Sequence, residues 1–234
     1  YLRINGFNNQ NRIKGREYRL YLPLYNTVRW LEVGVLTNAA FNALPIRQEK
    51  PIIVYGTSIA QGACASRPGM AWTAILERKL DQPLINLGFS GNGRLEKELI
   101  DLMAEINAKL FVLDCLPNLT SPDMEPEETK TRIIASVTLL RQKRSGVPIL
   151  LVEHGGYTDG SINNKRQEYY TGVNKLMKQA FRELKSNGIK NIYLLTKEEI
   201  NLGNDCMVDG THPNDLGMVR YAKAYYKKIH QVFH

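Results

Sequence analysis

From Pro51 onward, short apolar runs alternate with longer segments in which apolar residues recur every three or four positions. Short apolar runs bounded by turn residues predict buried strands, and the longer spacing predicts amphipathic helices. The predicted strands cover 52–55, 84–87, 110–113, 149–152 and 192–195, and the predicted helices cover 71–80, 94–106, 126–144, 165–185 and 214–233. Strands that alternate with helices in this way indicate a parallel sheet with helices on both faces.

The first 45 residues have a different pattern. Polar and apolar residues alternate over 18–22 and again over 28–35, which predicts two half-buried strands. Two strands alone rarely form a stable domain. We therefore expect 1–45 to be an N-terminal β segment, the remnant of a β-sandwich domain or a segment packed on the main body, and 46–234 to be the principal domain.

Composition narrows the classes of protein without identifying one. The chain has 234 residues, of which 43% are hydrophobic, enough for one large core. No apolar run approaches the ~20 residues of a membrane helix, so no membrane association is expected. The net charge of +8 is spread along the chain without a basic block and interleaved aromatics, so we expect no nucleic-acid partner. The oligomeric state is left open.

The N-terminal residues and the cysteines do not determine the cellular compartment of the protein. The first residue is Tyr and no signal pattern follows it, so we expect a processed or truncated product. A periplasmic or secreted location is compatible with this. Cys64, Cys115 and Cys206 lack any CxxC spacing, which argues against a zinc cluster and favours small apolar roles.

Polar and small residues follow every predicted strand, and in a parallel sheet these segments gather at one edge. The segments are 56–58, 88–93, 114–118, 153–156 and 209–213. Together they supply a candidate nucleophile in Ser58, a candidate base in His212 and a carboxylate in Asp209. A serine needs a base to take its proton, and the base needs a third group to orient it. Asp209 stands three residues before His212, close enough to fill that third role.

Other residues at this edge offer further roles. The backbone N–H of Gly91 and the side-chain amide of Asn118 are candidate donors to a developing oxyanion, with Asn92 as the alternative amide. His154 is an alternative base, but it lacks an acid at short spacing. Residues 88–93 lack the Gly-Lys-Ser or Gly-Lys-Thr ending of a phosphate-binding loop, which argues against nucleotide binding. The candidates for lining a substrate pocket are Arg67, Met70, Asn92, Glu153 and His154.

Four of these blocks resemble those of the SGNH hydrolases, also called the GDSL esterase/lipase family. The blocks are 56–62 (Gly-Thr-Ser-Ile-Ala-Gln-Gly), 86–91 (Asn-Leu-Gly-Phe-Ser-Gly), 113–118 (Leu-Asp-Cys-Leu-Pro-Asn) and 209–213 (Asp-Gly-Thr-His-Pro). The resemblance implies a three-layer, flavodoxin-like α/β/α fold with strand order 2-1-3-4-5. It also implies a Ser58–His212–Asp209 triad and an oxyanion hole made by Ser58, Gly91 and Asn118.

Two residues depart from the family pattern. Thr57 stands where the family usually has Asp, and Pro117 precedes Asn118 where a glycine is usual. We expect a serine esterase that needs no metal or organic cofactor and removes short acyl groups, such as acetyl, from carbohydrate. A lipase- or thioesterase-type acylhydrolase and a non-catalytic binding module on the same fold are the alternatives.

Overall fold

A five-stranded parallel sheet forms the centre of the computed structural model, which describes residues 18–119 and 125–233. The strands are β1 (Ile52–Gly56), β2 (Leu84–Gly88), β3 (Leu110–Asp114), β4 (Ile149–Val152) and β5 (Ile192–Leu195). Their order across the sheet is β2-β1-β3-β4-β5, and every neighbouring pair is parallel. The strand positions, the parallel pairing and the strand order are all confirmed.

Within the described residues, seven α-helices lie between and after the strands. They are α1 (Ser58–Gln61), α2 (Trp72–Leu80), α3 (Lys97–Met103), α4 (Pro126–Lys143), α5 (Asn164–Ser186), α6 (Lys197–Ile200) and α7 (Asp215–Phe233). Five of them match the predicted helices, although α3 is shorter than its apolar spacing indicates. The one-turn helices α1 and α6 were not predicted, since four residues are too few for a periodic pattern. Within the two described stretches, no helix has both the length and the apolar content that crossing a bilayer requires.

Alternate side chains of each strand point to opposite faces of the sheet. The strands β1, β3 and β4 are buried along their whole length, whereas the edge strand β2 is partly exposed. Along β1, Ile53 and Tyr55 join a core with α3, α4 and α5, whereas Ile52 and Val54 join a second core with α2 and α7. Burial on both faces explains why β1, β3 and β4 are continuous apolar runs instead of alternating ones.

The segment 18–51 does not form the two strands that its alternation predicts. Most of its apolar side chains face solvent, with Trp30 73% exposed and Ile46 87% exposed. A strand needs a neighbour to pair with its backbone, and the described residues provide none here. The segment nevertheless contacts the main body at several places, including an ion pair of 2.8 Å between Arg47 and Asp81. Tyr21 packs on Gly69 and accepts a 2.8 Å hydrogen bond from Arg78, and Leu24 lies against Gly62.

Candidate active site

Ser58 stands at the carboxyl end of β1, where the chain turns from strand to helix. Thr57 caps α1, its side chain accepting a hydrogen bond from the N–H of Ile59 at 3.3 Å. Ser58 is the first residue of α1, so its own N–H has no partner within the helix. Gly62 ends the helix in the left-handed conformation at φ 102°, which favours glycine. The motif 56–62 therefore produces a single turn that presents Ser58 at the edge of the sheet.

A tight loop before α7 brings Asp209 and His212 together. The N–H of Val208 donates to the carbonyl of His212 at 2.9 Å, and Met207 pairs with Pro213 in an antiparallel bridge. Gly210 sits at the tip with φ 79°. The Oδ1 atom of Asp209 accepts hydrogen bonds from the backbone N–H groups of Thr211 at 2.9 Å and His212 at 2.7 Å. These bonds fix the carboxylate beside the imidazole ring.

Three side chains form a continuous hydrogen-bonded chain at this edge. The Oγ atom of Ser58 lies 2.9 Å from Nε2 of His212, and Nδ1 of His212 lies 2.7 Å from Oδ2 of Asp209. Burial by itself would raise the pKa of Asp209, but the ring and backbone donors of His212 and the N–H of Thr211 outweigh it and lower the pKa to about 2. An ionised carboxylate only accepts, so Nδ1 carries the proton and Nε2 is left to accept from the serine hydroxyl.

The glycine-rich loop after β2 lies beside the nucleophile turn. A Cβ atom on Gly93 would lie 2.2 Å from the Gly56 carbonyl, and one on Gly88 would lie 2.2 Å from the Gln61 backbone nitrogen. Both glycines are therefore required for close backbone approach. Gly91 is different, because it is exposed, has φ 73° and has open space around it. Its N–H forms no hydrogen bond with the described residues, so it is available to a ligand.

Asn118 lies in a short 3-10 turn after β3 and reaches the same loop. Its side-chain amide donates to the backbone carbonyl of Asn92, so the structure joins the two residues that sequence reasoning treated as alternatives. Pro117 is the second residue of this turn and does not keep Asn118 away from the loop. The Asn92 side chain is exposed, and its contact is with the carbonyl of Ser90 at 3.5 Å.

Gln61 is a site residue to which sequence reasoning gave no role. Its Nε2 donates to the carbonyl of Leu24 at 2.9 Å, and its Oε1 accepts from the N–H of Ser90 at 2.9 Å. The side chain thus connects α1, the N-terminal segment and the loop that holds Gly91. The position of Gln61 within the motif 56–62 could have marked it as a site residue. Its two partners are far away in the sequence, so the sequence does not reveal its contacts.

A second network holds the loop of Asp209 and His212 from the other side. Arg166 donates to Asp159 at 2.7 Å and to the hydroxyl of Thr211 at 2.6 Å, and its guanidinium lies 3.9 Å from the centre of the Tyr157 ring. The N–H of Thr158 donates to the carbonyl of Gly210 at 3.1 Å. These contacts tie the segment after β4 to the residue next to His212.

Arg67 and Met70 follow α1 in the chain. Arg67 is exposed and donates to the hydroxyl of Ser66 at 3.1 Å, and Ser66 is bound through its N–H and hydroxyl to the carboxylate of Asp215. Met70 is half-buried in a 3-10 turn. The described contacts tie Arg67 to the start of α7, and a role of either residue in substrate binding stays a prediction.

Glu153 and His154 are both buried, so neither is an open rim residue. The Oε2 atom of Glu153 accepts from the Lys197 N–H at 2.9 Å, at the first residue of α6. His154 exchanges hydrogen bonds with Asn174, and its Nδ1 accepts from the Gly156 N–H at 2.9 Å. Burial lowers the pKa of His154 to about 3, with Arg166 and Lys197 adding to the effect. His154 has no hydrogen bond to Ser58, so it lacks the geometry of the alternative base.

The three cysteines carry free thiols. Cys115 and Cys206 are buried, as small apolar residues would be, whereas Cys64 is exposed and has φ 66°. Burial raises the pKa of Cys64, and the nearby charge of Asp209 adds to this, so the thiolate is disfavoured there. Among the described residues, no group of three or more His, Cys, Asp or Glu side chains is arranged to hold a metal ion.

The chain belongs to the GDSL-like lipase/acylhydrolase family, whose model matches residues 49–230. A second model, described as the N-terminus of the SGNH-hydrolase-type esterases, matches residues 4–41. The predicted family is therefore confirmed. A preceding β-sandwich domain stays a prediction.

Solved structures agree with the fold. A protein of Bacteroides ovatus described as a GDSL-like lipase is 40% identical, with a TM-score of 0.84 over 91% of this chain and 62% of its own. The salicylyl-acyltransferase SsfX3 is 18% identical, with a TM-score of 0.71 over 81% of this chain and 56% of its own. A family two carbohydrate esterase of Clostridium thermocellum is 14% identical, with a TM-score of 0.66 over 82% of this chain and 67% of its own. The chain thus spans less than two thirds of the first two. No curated protein matches it.

Proposed function

We propose that this protein is a serine esterase that removes short acyl groups, acetyl above all, from carbohydrate. The observation that carries the proposal is the chain of hydrogen bonds from Ser58 through His212 to Asp209, at 2.9 and 2.7 Å. Ser58 follows the strand at the sheet edge where open α/β folds bind ligands. The family of the chain supports an acylhydrolase, and the acyl group and alcohol are inferred from the residues around Ser58.

The reaction has two halves. In the first, Oγ of Ser58 attacks the ester carbonyl while Nε2 of His212 takes the hydroxyl proton. The tetrahedral intermediate collapses, the bond to the alcohol breaks, and the protonated imidazole returns that proton to the leaving oxygen. In the second, His212 takes a proton from water, the hydroxide attacks the acyl-enzyme, and Ser58 leaves with its proton restored. Asp209 stabilises the imidazolium in both halves.

The developing oxyanion needs hydrogen-bond donors already in position. The N–H groups of Ser58 and Gly91 suit this role, since the first begins a helix and the second forms no bond with the described residues. The Asn118 amide is the third donor that we assign. It now donates to Asn92, and a modest rotation would transfer one of its two N–H groups to a substrate oxygen.

The side chains near Ser58 favour a polar alcohol. Asn92, Asn118 and Arg67 are all polar and at least partly exposed. Sugar hydroxyls are matched by such groups, whereas a long acyl chain would need an apolar channel. The carbohydrate esterase of Clostridium thermocellum is only 14% identical, so its similarity supports the fold of this chain and not its substrate.

The catalytic assignment is tested with Ser58→Ala. We expect hydrolysis of p-nitrophenyl acetate to fall by roughly 10³-fold or more, as for the loss of other serine nucleophiles. A fluorophosphonate should label the native protein and not the variant, because only an activated serine reacts. If the native protein is not labelled, a non-catalytic binding module on this fold becomes the better reading.

Acyl preference is tested separately with p-nitrophenyl esters of increasing chain length. We expect the highest kcat/KM with acetyl and a fall towards octanoyl. A preference for octanoyl would instead indicate a lipase- or thioesterase-type acylhydrolase, with the same triad and a different substrate.

A further inference from the structure

Two adjoining cavities lie at the carboxyl edge of the sheet, beyond β4 and β5. The first has a volume of about 270 Å³ and the second about 300 Å³. Tyr170 and Lys197 line both cavities, so the two cavities are neighbours that share these side chains. We call the pair of cavities the Lys197 groove. Neither Ser58 nor His212 lines it, so it is separate from the site described above.

One half of the Lys197 groove is polar and aromatic. Its lining includes the rings of Tyr157 and Tyr170, the hydroxyl of Ser161 and the amides of Gln167 and Asn204. Arg166 lies 3.9 Å from the centre of the Tyr157 ring, and the His154 ring stacks on Tyr170 at 5.9 Å, so both rings are already partly covered. Hydroxyl and amide groups both donate and accept hydrogen bonds. The hydroxyls around the rim of a sugar ring are the matching groups.

The other half of the groove is basic. Lys175, Lys178 and Arg182 lie on one face of α5, three and four residues apart, and Lys197 faces them from α6. Against these four cations the groove holds two carboxylates, Glu153 and Glu198, so an excess of two positive charges remains.

The cations are held in different ways. Glu153, whose side chain is fully buried, lies 3.2 Å from the Lys178 ammonium and so fixes that side chain over the groove. Lys175, Arg182 and Lys197 form no ion pair with any described residue. Lys197 lies 5.7 Å from the Tyr170 ring centre, at the junction of the two halves. Three cations thus remain available to an anionic ligand.

We propose that the Lys197 groove binds an acidic oligosaccharide, a chain of sugar rings that carries carboxylate or sulfate groups. The proposal rests on the carbohydrate-esterase function proposed above. β4 and β5 lie two and three strands from β1, which places the groove about 10–15 Å from Ser58 along the sheet edge. A substrate that occupies both places must therefore be an oligosaccharide, with the ester at one end and the acidic groups further along.

The proposal is tested by calorimetry at low salt on the full chain carrying Ser58→Ala, which cannot turn a substrate over. The probes are oligogalacturonate, a sulfated oligosaccharide and a neutral cello-oligosaccharide of equal length, with inorganic sulfate and single-stranded DNA as further polyanion controls. We expect one or both acidic oligosaccharides to bind, more weakly as salt rises, and the better one identifies the anionic group. Equal binding by the neutral chain, by sulfate alone or by DNA would overturn the proposal.

Matched double variants locate the binding. Lys175→Gln with Arg182→Gln should weaken binding roughly tenfold, because two surface ion pairs near the upper end of their usual strength are lost. Lys223→Gln with Lys227→Gln removes the same charge from exposed positions of α7 and should leave binding within twofold. Equal weakening in both would mean a general charge effect and would refute the groove. Binding is measured without turnover, so the binding proposal can fail while the esterase proposal succeeds. The esterase proposal can likewise fail while the binding proposal succeeds.

Discussion

Gly88 gives the most direct test of how the active site is assembled. It is the last residue of β2, and it lies against the backbone of the helix that carries Ser58. A Cβ atom there would lie 2.2 Å from the Gln61 nitrogen and 2.5 Å from its Cα. Because non-bonded atoms prefer separations of about 3.5 Å, Gly88→Ala would force strand and helix apart by about 1 Å. No side-chain rotation can relieve the clash, since both contacts are with backbone atoms.

The size of the effect follows from this displacement. An extra methyl group in a close-packed contact costs about 1–3 kcal/mol of stability. The helix has a single turn, so a shift at Gln61 is passed to Ser58 at its other end. A misplacement of about 1 Å in a reacting group lowers the rate about 100-fold. We therefore expect Gly88→Ala to lose about 100-fold in kcat/KM on p-nitrophenyl acetate, with an unfolding free energy lower by about 1–3 kcal/mol.

The control is Gly172→Ala. Gly172 lies within α5 and has open space around the position of a Cβ atom, so alanine should stabilise the helix by about 0.5–1 kcal/mol and leave activity unchanged. Both variants are measured by steady-state kinetics and by urea unfolding. Wild-type activity and stability in Gly88→Ala would refute the claim that this contact positions Ser58.

Two further predictions test residues that sequence reasoning left without a role. Gln61→Leu removes the hydrogen bonds of Gln61 to Leu24 and Ser90, and it should lower kcat about tenfold with little change in KM, since a displaced Gly91 loop weakens only transition-state binding. Gln61→Glu keeps the acceptor for Ser90 and should lose less activity. An unchanged kcat in Gln61→Leu would argue against a role of Gln61 in positioning this loop. Burial raises the pKa of Asp114 to about 7, against the opposing effect of the Tyr225 hydroxyl, so the folded protein holds a proton that the unfolded chain releases near pH 4. That contribution to stability is complete below pH 4 and is lost as pH rises towards 7, by about 3 kcal/mol between pH 5 and pH 8. Asp114→Asn should remove this pH dependence from urea unfolding curves, and an identical slope in both proteins would refute it.

Much of the fold follows from local patterns. The central strands β1, β3 and β4 are buried on both faces, so each is a continuous apolar run that is followed by a glycine or a polar residue. Those ends mark the sheet edge, which is why Ser58, Asp209 and His212 could be selected before any geometry was known. Asp209 and His212 are only three residues apart, and a local turn is enough to join them.

The sequence is less informative where a residue's environment depends on distant parts of the chain. Glu153 and His154 follow a strand and look like open rim residues, yet α5 and α6 cover them and bury both. Nothing within a few positions of either residue indicates this. The alternation over 18–35 is compatible with strands, but a strand also needs a partner for its backbone, and pairing is not a local property.

The N-terminal segment is physically connected to the chemistry. The side-chain amide of Gln61 donates to the Leu24 carbonyl and accepts from the N–H of Ser90. A shift of either partner is therefore transmitted to the other through the helix that begins at Ser58. Leu24 also packs on Gly62, the glycine that ends this helix. A separate family model covers residues 4–41, and the contacts of Tyr21 and Leu24 lie inside that match. The N-terminal segment is therefore part of the scaffold that holds Ser58 and Gly91, because it supplies the carbonyl that orients Gln61.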